Sequence, residues 1–363
     1  MPAPVDAAAT STFLGAWGKP PDTPAWVALG VAALLLALAA TPGGSAWCAA
    51  LLAKHVPHRR AADTISTRRY LTILGFLAAF LSLGYIAYYL RGGPRIIDAT
   101  SYFLQGRALS HGQFSWAIPD PSASFRGRFL LFQEPDRLGG IFPPGYPLLL
   151  AAGFLIGAPM VIGPMLAAGI VILTYVLARE MAQDERRRQP FYVPEPESVA
   201  RFAAAISVVC ATLRYHTADT MAHGACALAM LIALASAIRA RRANASAYFA
   251  LAGLAVGYVA ATRPASSVAI GLVVLWIAAR TKTTRAQNLA GLALGVVPGL
   301  LLLLAANRSV AGSAFTFPQT AYYAVSDGPP GCFRYGFGKS VGCLHEHGDF
   351  VGARLPHGYG VLE

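Results

Sequence analysis

The chain has 363 residues, of which 55 % are hydrophobic and only 13 % charged. Soluble domains carry roughly 25 % charged residues, so too little polar surface is left to coat a water-soluble globule. This excludes a cytosolic enzyme, a disordered regulator and a small disulfide scaffold, and points to a chain that crosses a membrane several times. The net charge of +12 then becomes a question of topology, because basic residues collect in cytoplasmic loops, and calls for no nucleic-acid partner.

Residues 1–24 are small, Pro-rich and nearly neutral. They lack the basic start and apolar core of a cleaved signal and read as a flexible N-terminus. Residues 25–69 read as an extra N-terminal span followed by a basic cytoplasmic loop, which holds Lys54, Arg59, Arg60, Arg68 and Arg69. Further apolar runs follow at 70–90, 144–157, 160–179, 199–213, 219–238, 246–262, 264–279 and 287–306. A span needs ~20 apolar residues, and the run at 144–157 is short of that. The expected fold is all-α, a polytopic transmembrane helix bundle occupying 70–306. Residues 91–143 and 307–363 are its polar regions.

Charge sets the orientation. Basic connections lie at 54–69, at Arg186–Arg188, at Arg239, Arg241 and Arg242, and at Arg280, Lys282 and Arg285. All four fall on the cytoplasmic side if 144–179 crosses once. Then 144–157 is a re-entrant or surface-lying helix and 160–179 the true span. The loop 91–143 and the segment 307–363 fall outside. Two full crossings in 144–179 would instead expose the Arg186–Arg188 and Arg239–Arg242 clusters.

In the outer loop, Asp98, Tyr102 and Gln105 recur at steps of four and three and share one helix face. Gly112 ends this short amphipathic helix, which is expected to lie on the outer membrane surface. Asp98 either caps the helix N-terminus or does chemistry near the membrane. Further on, Phe142-Pro143-Pro144-Gly145-Tyr146-Pro147 is a rigid entry into lipid, since each Pro fixes φ and restrains its predecessor. A helix is expected to open near Asp219, placing His223 one turn inside it. Asp219 reads as its N-cap, and His223 either packs against a neighbour or assists proton transfer.

The order Asp98, Tyr102-x-x-Gln105-x-x-x-Leu109-x-x-Gly112, then Phe142-Pro143-Pro144-Gly145-Tyr146-Pro147-x-Leu149-Leu150-Ala151 resembles the glycosyltransferase C superfamily. The closer likeness is to its bacterial branch, akin to protein O-mannosyltransferases and aminoarabinose transferases. Met221-x-His223 and Gly257 followed by Arg263-Pro264 also resemble elements of that group. The resemblance covers about 70–350. It implies a multi-pass enzyme of the cell (inner) membrane, taking a sugar from a polyprenyl-phosphate carrier on the extracytoplasmic side. The acceptor, whether glycan, lipid or protein, stays open. The family's outer-loop acid, a general base or acceptor-orienting group, falls on Asp98. Two departures stand out. Many relatives carry a second acid where this chain has Ala99, so a divalent metal has no paired-acid motif here. Aminoarabinose transferases place a basic residue where this chain has Phe142.

The carrier phosphate therefore needs other cations, and Arg forks suit it. Arg263, at the outer end of the 246–262 run, is the first candidate, with Arg107, Arg126 and Arg128 behind it. The expected substrate-binding set is Tyr102, Gln105, Arg107, Pro143, Pro144, Tyr146, His223 and Arg263, with Asp98 catalytic. The sequence assigns no cofactor, and a divalent metal stays open without a paired-acid motif behind it. Cys332 and Cys343 lie in a Gly-rich outer tail, where a disulfide or two free thiols both fit. His345 and His347 match no metal-ligand spacing. Relatives continue with more spans, so 307–363 reads as the outer segment of a shortened chain. The competing functions are a transporter or flippase, or a non-catalytic subunit that keeps the fold.

Overall fold

The computed structural model describes residues 65–119, 127–133, 135–188, 195–243, 245–281 and 285–325, together with Gly30, Ala33 and Leu34. Most of the expected first span and of its basic loop, Arg126, the Cys332–Cys343 pair and the tail histidines lie outside the described residues.

Helices dominate. In chain order they are α1 (Thr67–Tyr88), α2 (Ile97–Ser110), α3 (Gly145–Leu155), α4 (Ile162–Arg188), α5 (Pro196–Val209), α6 (Ala211–Ala218), α7 (Ala222–Ala243), α8 (Ala247–Ala260), α9 (Pro264–Arg280), α10 (Arg285–Ala311) and α11 (Pro318–Val325). Among the described residues, four helices are long and apolar enough to cross a membrane: α1, α4 with the turn before it (Pro159–Arg187), α7 and α10. Large apolar side chains such as Phe76, Phe80, Leu272, Trp276, Leu294 and Leu301 face outward. Water does not favour such a surface, whereas hydrocarbon does.

The short 144–157 run forms α3, whose 11 residues span about 17 Å at 1.5 Å per residue, too little to cross. The 160–179 run becomes the long α4, as expected. Other bounds differ from the sequence reading. The 246–262 and 264–279 runs form α8 and α9, of 14 and 17 residues, shorter than a full span. The last apolar run extends past 306 to Ala311. The 199–213 run is not one helix but α5 and α6, bent by 60° at a break, with Cys210 extended between them. The sequence around the break contains neither Gly nor Pro, so it carries no local signal. Arg214, buried in α6, donates to the carbonyls of Ala78 (3.1 Å) and Ser207 (3.3 Å). Its charge thus meets the carbonyl end of α5, where a cation is favoured.

Two of the hydrophobic clusters among the described residues hold the long helices together. One joins α7 to α10 through Phe249, Val256, Val259, Val274 and Ile277. The other joins α1, α4 and α5 through Ala78, Val171, Tyr175, Ala204 and Val208. The α8–α10 contact is the closest, because Gly253 and Gly257 face Gly295 and Gly299. A Cβ on Gly299 would lie 2.0 Å from the Gly257 carbonyl oxygen, so the small-xxx-small spacing lets backbone touch backbone.

The bundle has two different ends. At one, Glu180 of α4 pairs with Arg242 (2.6 Å) and Arg239 (3.6 Å) of α7, and Asp184 pairs with Arg241. There too Arg186 pairs with Glu195, and Glu197 accepts from Thr67 at the start of α1. Arginines of two basic connections therefore pair with acids at this end, where Thr67, just after a third, also bonds an acid.

The opposite end carries α2 and a sheet that the sequence reading treated as a polar loop. Strands β1 (Ser115–Ala117), β2 (Leu130–Gln133) and β3 (Arg137–Gly140) pair antiparallel in the order β1-β3-β2. Gln133 pins the sheet to the end of α10 by donating to the carbonyls of Ser309 and Val310. The apolar run Phe129–Phe132 was its one sequence signal.

Candidate functional site

Helix α2 forms where expected and ends at Gly112 in the left-handed region (φ +73°), a conformation Gly adopts without Cβ strain. Its N-cap is Ile96, without a side-chain cap bond. Asp98 is therefore not the cap. It sits half-buried in the first turn, where the helix dipole favours an acid.

The shared face of this helix turns inward against the protein. Tyr102 is 6 % exposed and stacks on Phe142 at 4.3 Å, with Tyr146 edge-on at 5.6 Å. Ser101 donates to the Phe129 carbonyl and Gln105 to the Phe142 carbonyl. The remaining acceptor of Gln105 has no partner. Gln105 lines a cavity of about 10 Å³, room for about one water. Tyr146 and Pro144 are buried and Pro143 half-buried. These residues build the wall of the site, and only Phe142 and Pro143 among them are partly exposed. Arg107 is exposed, at the far end of the helix from Asp98.

The Pro-Pro segment is held against α8. The Gly145 amide donates to the Ala261 carbonyl (2.7 Å), and the Tyr258 hydroxyl donates to the Gly145 carbonyl (2.9 Å). A Cβ at Gly145 would lie 2.2 Å from Thr262 Oγ1, so only Gly allows this approach. α3 begins at Gly145, two residues before Pro147, which sits in its first turn. Arg263 follows in the α8–α9 turn. It is extended (φ −146°) and precedes a Pro at the first helical position, the place where Pro's missing N–H costs nothing.

The α6–α7 turn completes the site and corrects two expectations. Asp219 does not open a helix but ends α6, and α7 begins at Ala222, so His223 is its second residue. The Asp219 carboxylate accepts from the Met221 amide through Oδ1 and faces His216 Nδ1 at 3.2 Å through Oδ2. The His216 and His223 rings lie 4.5 Å apart. Arg263 donates to Nδ1 of His223. Thr220, between them, is buried in the left-handed region (φ +54°). A β-branched residue is strained there, and such strain concentrates at functional sites.

Tyr102 lies within reach of the charges of Arg263, Asp98 and Asp219. Tyr102 also packs with Tyr146, Met221, Ala222 and Tyr258, so α2 and the ends of α7 and α8 share this end of the bundle. Burial pushes the Tyr102 phenol well above its ordinary value, against the pull of Arg263, so it stays neutral and is no base. Burial also raises the Asp219 carboxyl above the ordinary carboxylate range, while His216 and the Met221 amide pull it back. Arg128 lies over the Phe129 ring on the sheet side.

Sequence reasoning singled out Asp98, Tyr102, His223 and Arg263 but did not name His216, which the structure places beside His223. The signal was present as His216-x-x-Asp219-x-x-x-His223, residues that would share one face of a continuous helix. His216, Asp219 and His223 bring their donor atoms within 4.8 Å of one another, and among the described residues they are the group fit to hold a metal ion. No protein-family model matches this chain and no curated protein matches it.

Proposed function

We propose that the chain is a membrane glycosyltransferase that moves a sugar from a polyprenyl-phosphate donor to an acceptor hydroxyl on the extracytoplasmic side. The observation that supports it best is that three stretches far apart in sequence, α2 with Asp98 and Tyr102, the start of α7 with His223, and the α8–α9 turn with Arg263, meet at one end of an apolar bundle. The bundle's opposite end gathers the ion-paired arginines and suits the cytoplasmic face. In this orientation α2, the sheet and the α6–α7 turn are extracytoplasmic, and α3 is a re-entrant helix.

The chemistry needs a base and a cation. Asp98 takes the proton of the acceptor hydroxyl as that oxygen bonds to the sugar's anomeric carbon. The bond from that carbon to the phosphate oxygen breaks, and the polyprenyl phosphate leaves with the electron pair. Arg263, exposed in its turn, neutralises the leaving phosphate. Tyr102, Phe142 and Tyr146 form the rigid wall that holds α2 in place.

The role of Arg263 is tested by steady-state transfer from a labelled polyprenyl-phosphate sugar in proteoliposomes. Arg263→Gln is expected to raise the KM for the donor at least tenfold. An unchanged KM and kcat would remove Arg263 from the phosphate site.

A further inference from the structure

We propose that His216, Asp219 and His223 form a binding site for one divalent transition-metal cation of the zinc class. The site does not depend on the sugar-transfer reading and is tested without it. Two imidazoles and one carboxylate are a donor set that suits zinc, with a fourth position left for water. Magnesium and calcium prefer oxygen donors throughout.

The three donors lie within 4.8 Å of one another, and one edge of that coordination is already in place. For bonds near 2.05 Å, neighbouring donors in a tetrahedron lie about 3.4 Å apart. His216 Nδ1 and Asp219 Oδ2 are 3.2 Å apart, close to one such edge. The other carboxylate oxygen is held by the Met221 amide, which fixes the orientation of the ligand as outer partners do in metal sites. The Asp219 side chain is 2 % exposed and that of His216 34 %. The carboxylate thus forms the floor, and the histidine side opens to the cation and its water.

The turn is held before any cation arrives. Thr220 stands in its left-handed conformation between the ligands. α4 presses on α6 at Gly163, where a Cβ would lie 2.2 Å from the Thr217 carbonyl oxygen. α7 approaches the His216 carbonyl at Gly224, where a Cβ would lie 3.0 Å away. Neither helix end can shift without breaking these contacts, so little ordering cost is left for binding.

Arg263 gives the site a distinctive property. A guanidinium only donates, so its bond to His223 Nδ1 makes that nitrogen the acceptor and leaves the proton on Nε2. A metal on either nitrogen is incompatible with that bond. On Nδ1 it takes the same lone pair, and on Nε2 it requires the proton to move to Nδ1. The cation and Arg263 therefore compete for His223, and metal binding releases the guanidinium. Removing Arg263 should strengthen metal binding, the opposite of its effect on an anion site.

The test uses the full chain, purified without a histidine tag and stripped with a chelator. Zinc is titrated in competition with a chromogenic chelator, and cobalt(II) is added separately for its visible spectrum. The expected result is one zinc per chain and the intense cobalt bands of a four-coordinate site. His216→Gln and His223→Gln should each weaken zinc by about 100-fold or more, since outer-shell losses alone cost 10–100-fold. Arg263→Ala should tighten it severalfold. Each variant is checked for monodispersity and helical content. Failure to bind stoichiometric zinc at micromolar concentration overturns the proposal, as does the weak spectrum of six-coordinate cobalt. Wild-type affinity in a folded His216→Gln, His223→Gln double variant would place the zinc elsewhere and overturn it too. Unchanged or weaker affinity in Arg263→Ala would overturn the competition.

Discussion

The α8–α10 contact tolerates no added atom, and Gly299→Ala tests it. The new Cβ would lie 2.0 Å from the Gly257 carbonyl oxygen, whereas ordinary contact begins at 3.4 Å. The helices must part by about 1.4 Å, and the neighbouring Gly253–Gly295 contact opens with them. Overpacking costs about 1–3 kcal/mol, and the upper end applies because backbone meets backbone. Ala is the better helix former by about 1 kcal/mol, so the expected net loss is about 2 kcal/mol. Gly271→Ala is the control, since its Cβ would meet only Val256 Cγ1 at 3.5 Å. It should be neutral or stabilising. Unfolding in mixed micelles titrated with SDS, followed by far-UV circular dichroism, measures both. A Gly299→Ala protein as stable as wild type, or equal shifts in the two variants, would refute the packing argument.

Tyr102→Ala removes the stack on Phe142 and should cost about 3 kcal/mol in the same assay, while Tyr102→Phe keeps the rings and should be nearly neutral. Glu180→Leu leaves Arg239 and Arg242 without their buried carboxylate. Breaking a buried pair costs 3–5 kcal/mol, but these arginines are 48 % and 22 % exposed, so about 2 kcal/mol is expected. Asp219 supplies a pH test. Its folded carboxyl lies above the unfolded value of 3.8, so its contribution is fully present below that pH and is lost as pH rises through the folded value. Asp219→Asn should therefore gain stability relative to wild type as pH is raised from 3.5 through the carboxylate range, then level off. A constant difference across that range would refute the burial argument.

The long spans were legible because apolar length is a strong signal, and α1, α4, α7 and α10 all coincide with predicted runs. The arginine clusters were legible as one end of the bundle for the same reason, since their positions alternate with those runs. The break at Cys210 was not, because its cause is tertiary: Arg214 reaches carbonyls of α1 and α5. The sheet was missed because its strands are three or four residues long and β3 reads Arg-Leu-Gly-Gly, without alternation. At the site, Asp98, Tyr102 and Gln105 were placed on one face correctly, but periodicity cannot say whether a face meets protein or lipid. Asp219 looked like an N-cap because Asp commonly is one. Only the geometry of Thr220 shows that the helix starts three residues later and that the carboxylate points to His216.

The central claim rests on Asp98 as the base of a sugar transfer. The direct measurement is single-turnover transfer from a labelled polyprenyl-phosphate sugar by purified protein in lipid, wild type against Asp98→Asn. The substitution keeps the side chain's shape and removes its basicity. Wild-type protein should form glycosylated product, and Asp98→Asn should be slower by about 10²-fold or more with its helical content unchanged. Equal rates in the two proteins, or no transfer by the wild type from any polyprenyl-phosphate sugar, would contradict it.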